Sequence, residues 1–424
     1  MKKIFIILFL NLFLFSISWA QEDSTEVIDD STDTDLIEQR ADTLTVTMDS
    51  LQVEDIHPQD SPEHRGFIIR SDDDKSELRL RGSIRLHGVF DLNGLQNQNL
   101  FSVYDIPVGA ANKTEPRFSM SADQTRIGIE ALRWTTLGDA FMRIEGDFLE
   151  QGNSGNIFRL RHAFGQLNYI LAGLTWSTFG DVASLPQTVD LDGPPSSVSE
   201  RTIQIRYTRD VTKDLRWAVS AESPKPDIET PDSLLLEPAF QSYPDLVGRI
   251  RKFGEWGHTQ VAIIVRSISV KDAENNTDYL VGAGGLLSGK MVLTPENEIY
   301  YQVVYGSAIA RLVGGLAGRG LDVIYNPDTG KFETITTMGG FISFAHQWQE
   351  NLSSNLTIGM NNVKNKDFQP DDAFSFIGYG SVNLFWQATA GSRVGIEYSY
   401  GRRQNKNGDS GDANRLAFIV YYDF

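Results

Sequence analysis

Residues 77–92 read ELRLRGSIRLHGVFDL, and the alternation within them decides the fold. Leu78, Leu80, Ile84, Leu86 and Phe90 share one face of an extended strand, while Glu77, Arg79, Arg81, Ser83, Arg85 and His87 share the other. A soluble sandwich would bury such an apolar face against a second sheet, whereas a membrane barrel turns it toward lipid. Length separates the two, because a tilted membrane strand needs about ten residues and ordinary strands run to about five or six.

Working outward, the same period recurs near 124–134, 140–149, 157–168, 169–178, 202–210, 214–223 and 245–254, then near 257–271, 278–292, 297–310, 337–349, 352–364, 374–388, 392–404 and 413–424. With the first segment these make sixteen, an even number as bacterial barrels have. The expected fold is all-β, a transmembrane antiparallel β-barrel of about sixteen strands over 77–424. Connections from even to odd strands are short, such as TAG at 389–391, while those from odd to even include the long stretches 93–123, 179–201, 224–244 and 311–336. That asymmetry places both chain ends of the barrel in the periplasm and the long loops outside. Trp134, Trp217, Trp256, Trp348 and Trp386 then fall at or beside periplasmic strand ends, where an interfacial ring belongs.

Upstream, Lys2 and Lys3 precede an apolar run from Ile4 to Ile17 and then Ser18-Trp19-Ala20, the plan of a signal peptide cleaved before Gln21. The alternative, a retained anchor, is disfavoured because the run is shorter than the roughly 20 residues that span a bilayer. Residues 21–76 form an acidic periplasmic extension; from Gln21 to Lys75 there are 17 acidic and 4 basic residues, which accounts for most of the net charge of -18. Ile37, Ala41, Leu44, Met48 and Leu51 fit two heptads of a coiled-coil seam if three copies are held together, or coincidence in a tail whose Thr43, Thr45 and Thr47 disfavour helix. The acidic balance argues against nucleic acid as a partner, and the absence of cysteine removes disulfides and thiolate metal sites. No cofactor or metal is expected. The last strand, ANRLAFIVYYDF at 413–424, ends on Phe424 and resembles the terminal signal by which the outer-membrane assembly machinery recognises its clients.

Alternation aims Arg79, Arg81, Arg85, Arg126, Arg143, Arg159, Arg161 and Arg206 into the lumen, most of them on neighbouring strands, with Arg249, Arg251, Arg393 and Arg415 dispersed on the remaining wall. Guanidinium groups inside a narrow aqueous pore attract anions and grip carboxylate or phosphate in bidentate fashion. Pairing with Glu130, Glu145 and Asp147 merely to keep the lumen soluble is the alternative, but positive groups outnumber acidic ones on that wall. The stretch FGDVASLPQTVDLDGPPSSVSE, 179–200, carries Asp181, Asp190 and Asp192. Folded inward it would set these carboxylates across from the arginines at a constriction; left outside it would cover the mouth.

The segment AGLTWSTFGDVASLPQTVDLDGPPSSVSERTIQIRYT, 172–208, and the preceding FRLRHAFGQL, 158–167, resemble the DcaP family of trimeric outer-membrane porins. The resemblance implies a homotrimer in outer-membrane lipid, a periplasmic coiled coil, and passage of small anionic solutes such as dicarboxylates, with Arg159, Arg161, Arg201 and Arg206 near the constriction. Two other readings compete with a Gram-negative outer-membrane porin. An adhesin or receptor barrel would use loops 224–244 and 311–336, the second of which, with Arg311 and Arg319, also suits a mobile lid. A barrel enzyme is disfavoured: of His87, His162, His258 and His346, alternation points His162 away from Arg161 and no triad assembles. The two-sided period predicts a mature protein that stays dispersed only in detergent and gives a β-type circular dichroism spectrum. A helical spectrum, or solubility in plain buffer, refutes the barrel.

Overall fold

The computed structural model describes residues 66–93, 95, 100–109, 115–149, 157–229, 239–271 and 276–424. The expected signal peptide at 1–20 and the extension through residue 65, heptad pattern included, lie outside them. The alternating segments are antiparallel strands: β1 (Ser76–Asn93), β2 (Arg117–Ser121 and Arg126–Thr135, one strand interrupted at 122–125), β3 (Gly138–Asp147), β4 (Arg159–Leu167), β5 (Ile170–Trp176), β6 (Arg201–Thr212), β7 (Leu215–Glu222) and β8 (Asp245–Gly254). They continue as β9 (Gly257–Lys271), β10 (Thr277–Thr294), β11 (Asn297–Ser307), β12 (Thr336–Gln349), β13 (Leu352–Lys364), β14 (Phe374–Thr389), β15 (Ser392–Asn405) and β16 (Ser410–Asp423). Each pairs with its neighbour in sequence, and β1 returns to β16, Ser83 opposite Asp423, to close a sixteen-stranded barrel.

Closure follows from the faces. On β9, Val261, Ile263 and Val265 are exposed while Gln260, Ala262 and Ile264 between them are buried, so the apolar outer row can meet only lipid. The seven connections from even to odd strands are two-residue turns, tight enough to need special backbone. Gly257 leaves one of them at φ +109°, where a Cβ would lie 2.0 Å from the Lys290 carbonyl oxygen. The five tryptophans read as interfacial stand in these turns or near the strand ends they join.

Two short strands were not visible in the alternation. Arg117–Ser121 pairs with the far half of β1 inside what reads as a loop, because the break at 122–125 interrupts the period. Phe67–Arg70 pairs with β1 from Leu80 to Glu77, continuing the ladder where β16 ends, and the Phe67 ring lies 6.3 Å from that of Phe424.

The lumen is not uniformly polar. Inward residues of the β8–β14 wall, among them Val247, Ile264, Leu286, Val304, Val363 and Ile377, form one buried cluster with apolar side chains of three loops. Those are Phe101, Val103 and Ile106 between β1 and β2, Phe179 and Val198 between β5 and β6, and Ile309, Leu312, Val313 and Leu316 between β11 and β12. Long loops that carry their own apolar residues gain about 1.5–3 kcal/mol for each such side chain taken from water, which draws them inside. The β11–β12 loop also contributes Val323–Asn326 and Lys331–Thr334 to a three-stranded sheet with Ile228–Glu229.

Where the two inner loops meet, the N–H groups of Gly314 and Gly315 donate to the carbonyls of Ser197 and Pro195 at 2.8 and 2.7 Å. A Cβ on Gly315 would come within 2.6 Å of the Pro195 side chain. Gly315→Val should therefore lift the β11–β12 loop without opening the barrel. The expected outcome is protease cleavage within 308–335 in the variant but not in the parent, with the folded barrel band on gels retained; an uncut loop refutes the contact.

Candidate functional site

Nine arginines were expected along the lining of the β1–β6 wall, eight from alternation and Arg201 from the family resemblance. Eight of them, from Arg79 to Arg206, sit on the inner side of the wall, and most meet carboxylates. Arg79 bonds Glu77, Arg81 donates to Glu130 at 2.6 Å, and Arg143 bonds Glu145 and lies 3.8 Å from Glu130. Arg161 reaches Glu145 at 3.0 Å and Asp147 at 2.9 Å, and Arg159 grips Asp147 through two nitrogens at 2.8 and 2.7 Å. Arg85 donates to Ser83 at 2.9 Å and lies 5.2 Å over the Tyr421 ring, while Arg126 and Arg206 are buried in the same wall. Arg201 differs. It opens β6 opposite Trp176, its guanidinium lies 4.4 Å over the Trp176 ring, and among the described residues no carboxylate is bonded to it.

A β-bulge sharpens this arrangement. Glu145 is opposite His162 and Gly146 opposite Leu160, so Arg161 is the extra residue. Both Arg161 and His162 are consequently buried, which corrects the expectation that they face opposite sides. His162 Nδ1 lies 3.1 Å from the Thr175 hydroxyl and its ring packs edge-on to Trp176. The signal was in the sequence: exposed apolar residues fall on an even position at Leu160 and an odd one at Leu167.

The β5–β6 loop crosses the lumen and is bonded to the far wall. Asp181 accepts from Arg251 at 3.0 Å and Ser288 at 2.8 Å and lies 2.9 Å from His258 Nε2. The N–H groups of Val189 and Asp190 donate to Glu397, that of Val198 to Gln302, and Asn361 donates to the Pro195 carbonyl. Asp190 accepts the Phe101 N–H at 2.8 Å and lies 3.5 Å from Arg415. The sequence reading set all three loop aspartates against the arginine ladder. Asp181 and Asp190 instead anchor the loop, because the dispersed arginines Arg251 and Arg415 lie where it lands, and only Asp192 shares a cavity with the ladder.

That cavity, of about 480 Å³, is lined by Arg126, Arg159, Arg161 and Arg201 on one side, and by Arg311 and Arg319 of the β11–β12 loop. Its carboxylates are Asp105, Asp192 and Glu200. Burial, reinforced by Asp190 next to it, raises the Asp192 carboxyl to about 7 against the pull of Arg159, Arg415 and Arg319. Burial likewise raises Glu200. At Asp181 burial acts in the same direction but is overcome by Arg251, His258 and Ser288, which hold it below the usual carboxylate range. Asp105, Glu200 and Trp176 were not singled out from sequence, and Arg311 and Arg319 were read only as parts of a lid. Loop residues carry no period that would aim them.

Among solved structures, the outer membrane channel DcaP of Acinetobacter baumannii superposes with a TM-score of 0.73 at 20% identity, over 85% of this chain and 100% of that one. An anion-selective porin from Comamonas acidovorans matches with a TM-score of 0.54 at 10% identity, over 82% and 100% of the two chains. OmpF of Salmonella typhi matches with a TM-score of 0.53 at 14% identity, over 84% and 100%. At these identities the likeness shows the fold, that of outer-membrane porins and channels. No curated protein sequence matches the chain. The model of one family, DcaP outer membrane protein, matches residues 67–424 and thus the whole barrel: the chain belongs to the DcaP outer membrane protein family.

Proposed function

We propose that this barrel is a homotrimeric porin through which small anionic solutes of the dicarboxylate type diffuse passively along an arginine-lined path. Arg79, Arg81, Arg85, Arg126, Arg143, Arg159, Arg161, Arg201 and Arg206 form its lining, and the β5–β6 loop narrows it. The single observation that carries this reading is the charge around the cavity: six guanidinium groups against three carboxylates, with Arg201 free of any bonded carboxylate among the described residues. A guanidinium held over an indole by a cation–π contact keeps hydrogen-bond donors available to solute, and a low-dielectric wall strengthens its pull. The ladder carboxylates Glu130, Glu145 and Asp147 temper the field so that a bound anion can leave again, as conduction requires. The Comamonas porin that shares the fold is itself described as anion-selective, which agrees with the sign of the wall.

The test is the reversal potential of purified protein in planar bilayers under a potassium chloride gradient. The parent should favour chloride, and insertions should come in multiples of three. Arg201→Gln removes one of a formal excess of three positive charges with no bonded carboxylate left stranded. It should shift the reversal potential toward cations; an unchanged value refutes the assignment. Acidification provides a second check. Asp192, raised to about 7, is largely ionised at pH 8 and largely neutral at pH 6, so the cavity becomes more positive as pH falls. Anion preference should rise between pH 8 and pH 6, and Asp192→Asn should flatten most of that change. A pH response identical in the variant removes Asp192 from the path.

A further inference from the structure

The β1–β2 and β11–β12 loops both line the cavity, and an ion pair joins them there. Arg319 Nη2 donates to Asp105 Oδ2 at 2.6 Å and to Ser102 Oγ at 3.4 Å. The guanidinium lies 4.5 Å over the Tyr104 ring, and the Arg319 N–H donates to Asp227 at 2.8 Å. Tyr104 is itself fixed, because its carbonyl accepts from Arg403 at 2.6 Å and its ring packs on Phe374. Arg319 is therefore held in position by contacts that do not involve Asp105.

The pair is open to water, as is Lys366 with Glu333 further along the same loop, each 35% exposed. Arg319 and Asp105 are 32% and 34% exposed, whereas the pairs beneath the loop, Arg266 with Asp322 and Arg311 with Asp245, are at most 6% exposed. An ion pair open to water holds weakly and breaks without disturbing its surroundings. The loop body would stay in place through Arg266, Arg311 and the apolar side chains beneath it.

We propose that Asp105 is a built-in competitor for solute, and that Arg319 exchanges its carboxylate for that of an entering anion. Arg319 thereby becomes a capture residue in the cavity that the ladder also lines, and Asp105 sets how strongly it captures. This rests on the anion-porin reading above. Asp105 presents the same chemical group as a dicarboxylate solute, at hydrogen-bond distance from a fork already oriented by Tyr104. Each arrival would replace one charge-assisted hydrogen bond with another, so that neither capture nor release leaves the guanidinium bare.

The experiment uses the full mature protein in bilayers, with disodium succinate as the probe of chloride conductance. Asp105→Asn keeps the shape and removes the competing charge, and should lower the succinate concentration for half-maximal block roughly two- to fivefold, the worth of an exposed ion pair. Arg319→Gln should raise that concentration, and the double variant should behave like Arg319→Gln alone. If both single variants leave succinate block unchanged, or move it the same way, while Arg201→Gln weakens it, the exchange is refuted and the anion path stands. If the parent shows neither anion preference nor succinate block, the porin reading and the exchange fall together.

Discussion

A chain that crosses lipid as strands must pair every backbone N–H and C=O, and here the last open edges vanish where β1 meets β16. That closure dictates the rest. It requires β16 to end level with the middle of β1, leaving a notch that Phe67–Arg70 fills by pairing with Glu77–Leu80. It also requires an unbroken apolar exterior, so all chemistry is confined to inward side chains and to loops. A barrel with its edges sealed has only its interior in which to be specific.

The interior divides into two media. Against the β8–β14 wall three loops pack into a dry apolar cluster, and against the β1–β6 wall arginines and carboxylates surround water-accessible space. The first arrangement sustains the second. Asp181, bonded to Arg251 of β8, and Asp190, bonded to Arg415 of β16, pin the β5–β6 loop across the lumen and hold Asp192 beside the arginines. Desolvated pairs of this kind gain little over apolar packing, yet removing one partner strands a buried charge, so they define position more than stability. The loop is thereby a fixed wall of the cavity.

Strands and turns were legible from one residue to the next, because an alternating face is a local property. Even the bulge at Arg161 left its mark in the phase change between Leu160 and Leu167. The destinations of the loops were not legible. Asp190 meets Arg415 across 225 residues of chain, and Val198 meets Gln302 across 104, contacts that no spacing encodes. An arginine such as Arg251 reads the same from sequence whether it faces solute or anchors a loop. Only the landing point of Asp181 decides between them.

The same logic explains why counting charges on the ladder was informative without being sufficient. Arg81, Arg143, Arg159 and Arg161 are all committed to carboxylates in the resting arrangement, so the wall as a whole offers less free charge than its arginine content suggests. What it offers is exchangeable partners. Arg159 is 34% exposed beside a fully buried Asp147, and Arg319 is 32% exposed beside Asp105, so water or solute can compete for the guanidinium in both places. Arg201, over the Trp176 ring in the same cavity, has no bonded carboxylate to displace among the described residues. Under the proposed anion path, a graded series of guanidiniums, from unbonded to paired but accessible to paired and buried, would draw an anion inward without trapping it. Permeation demands that balance, and uniform positive charge would defeat it.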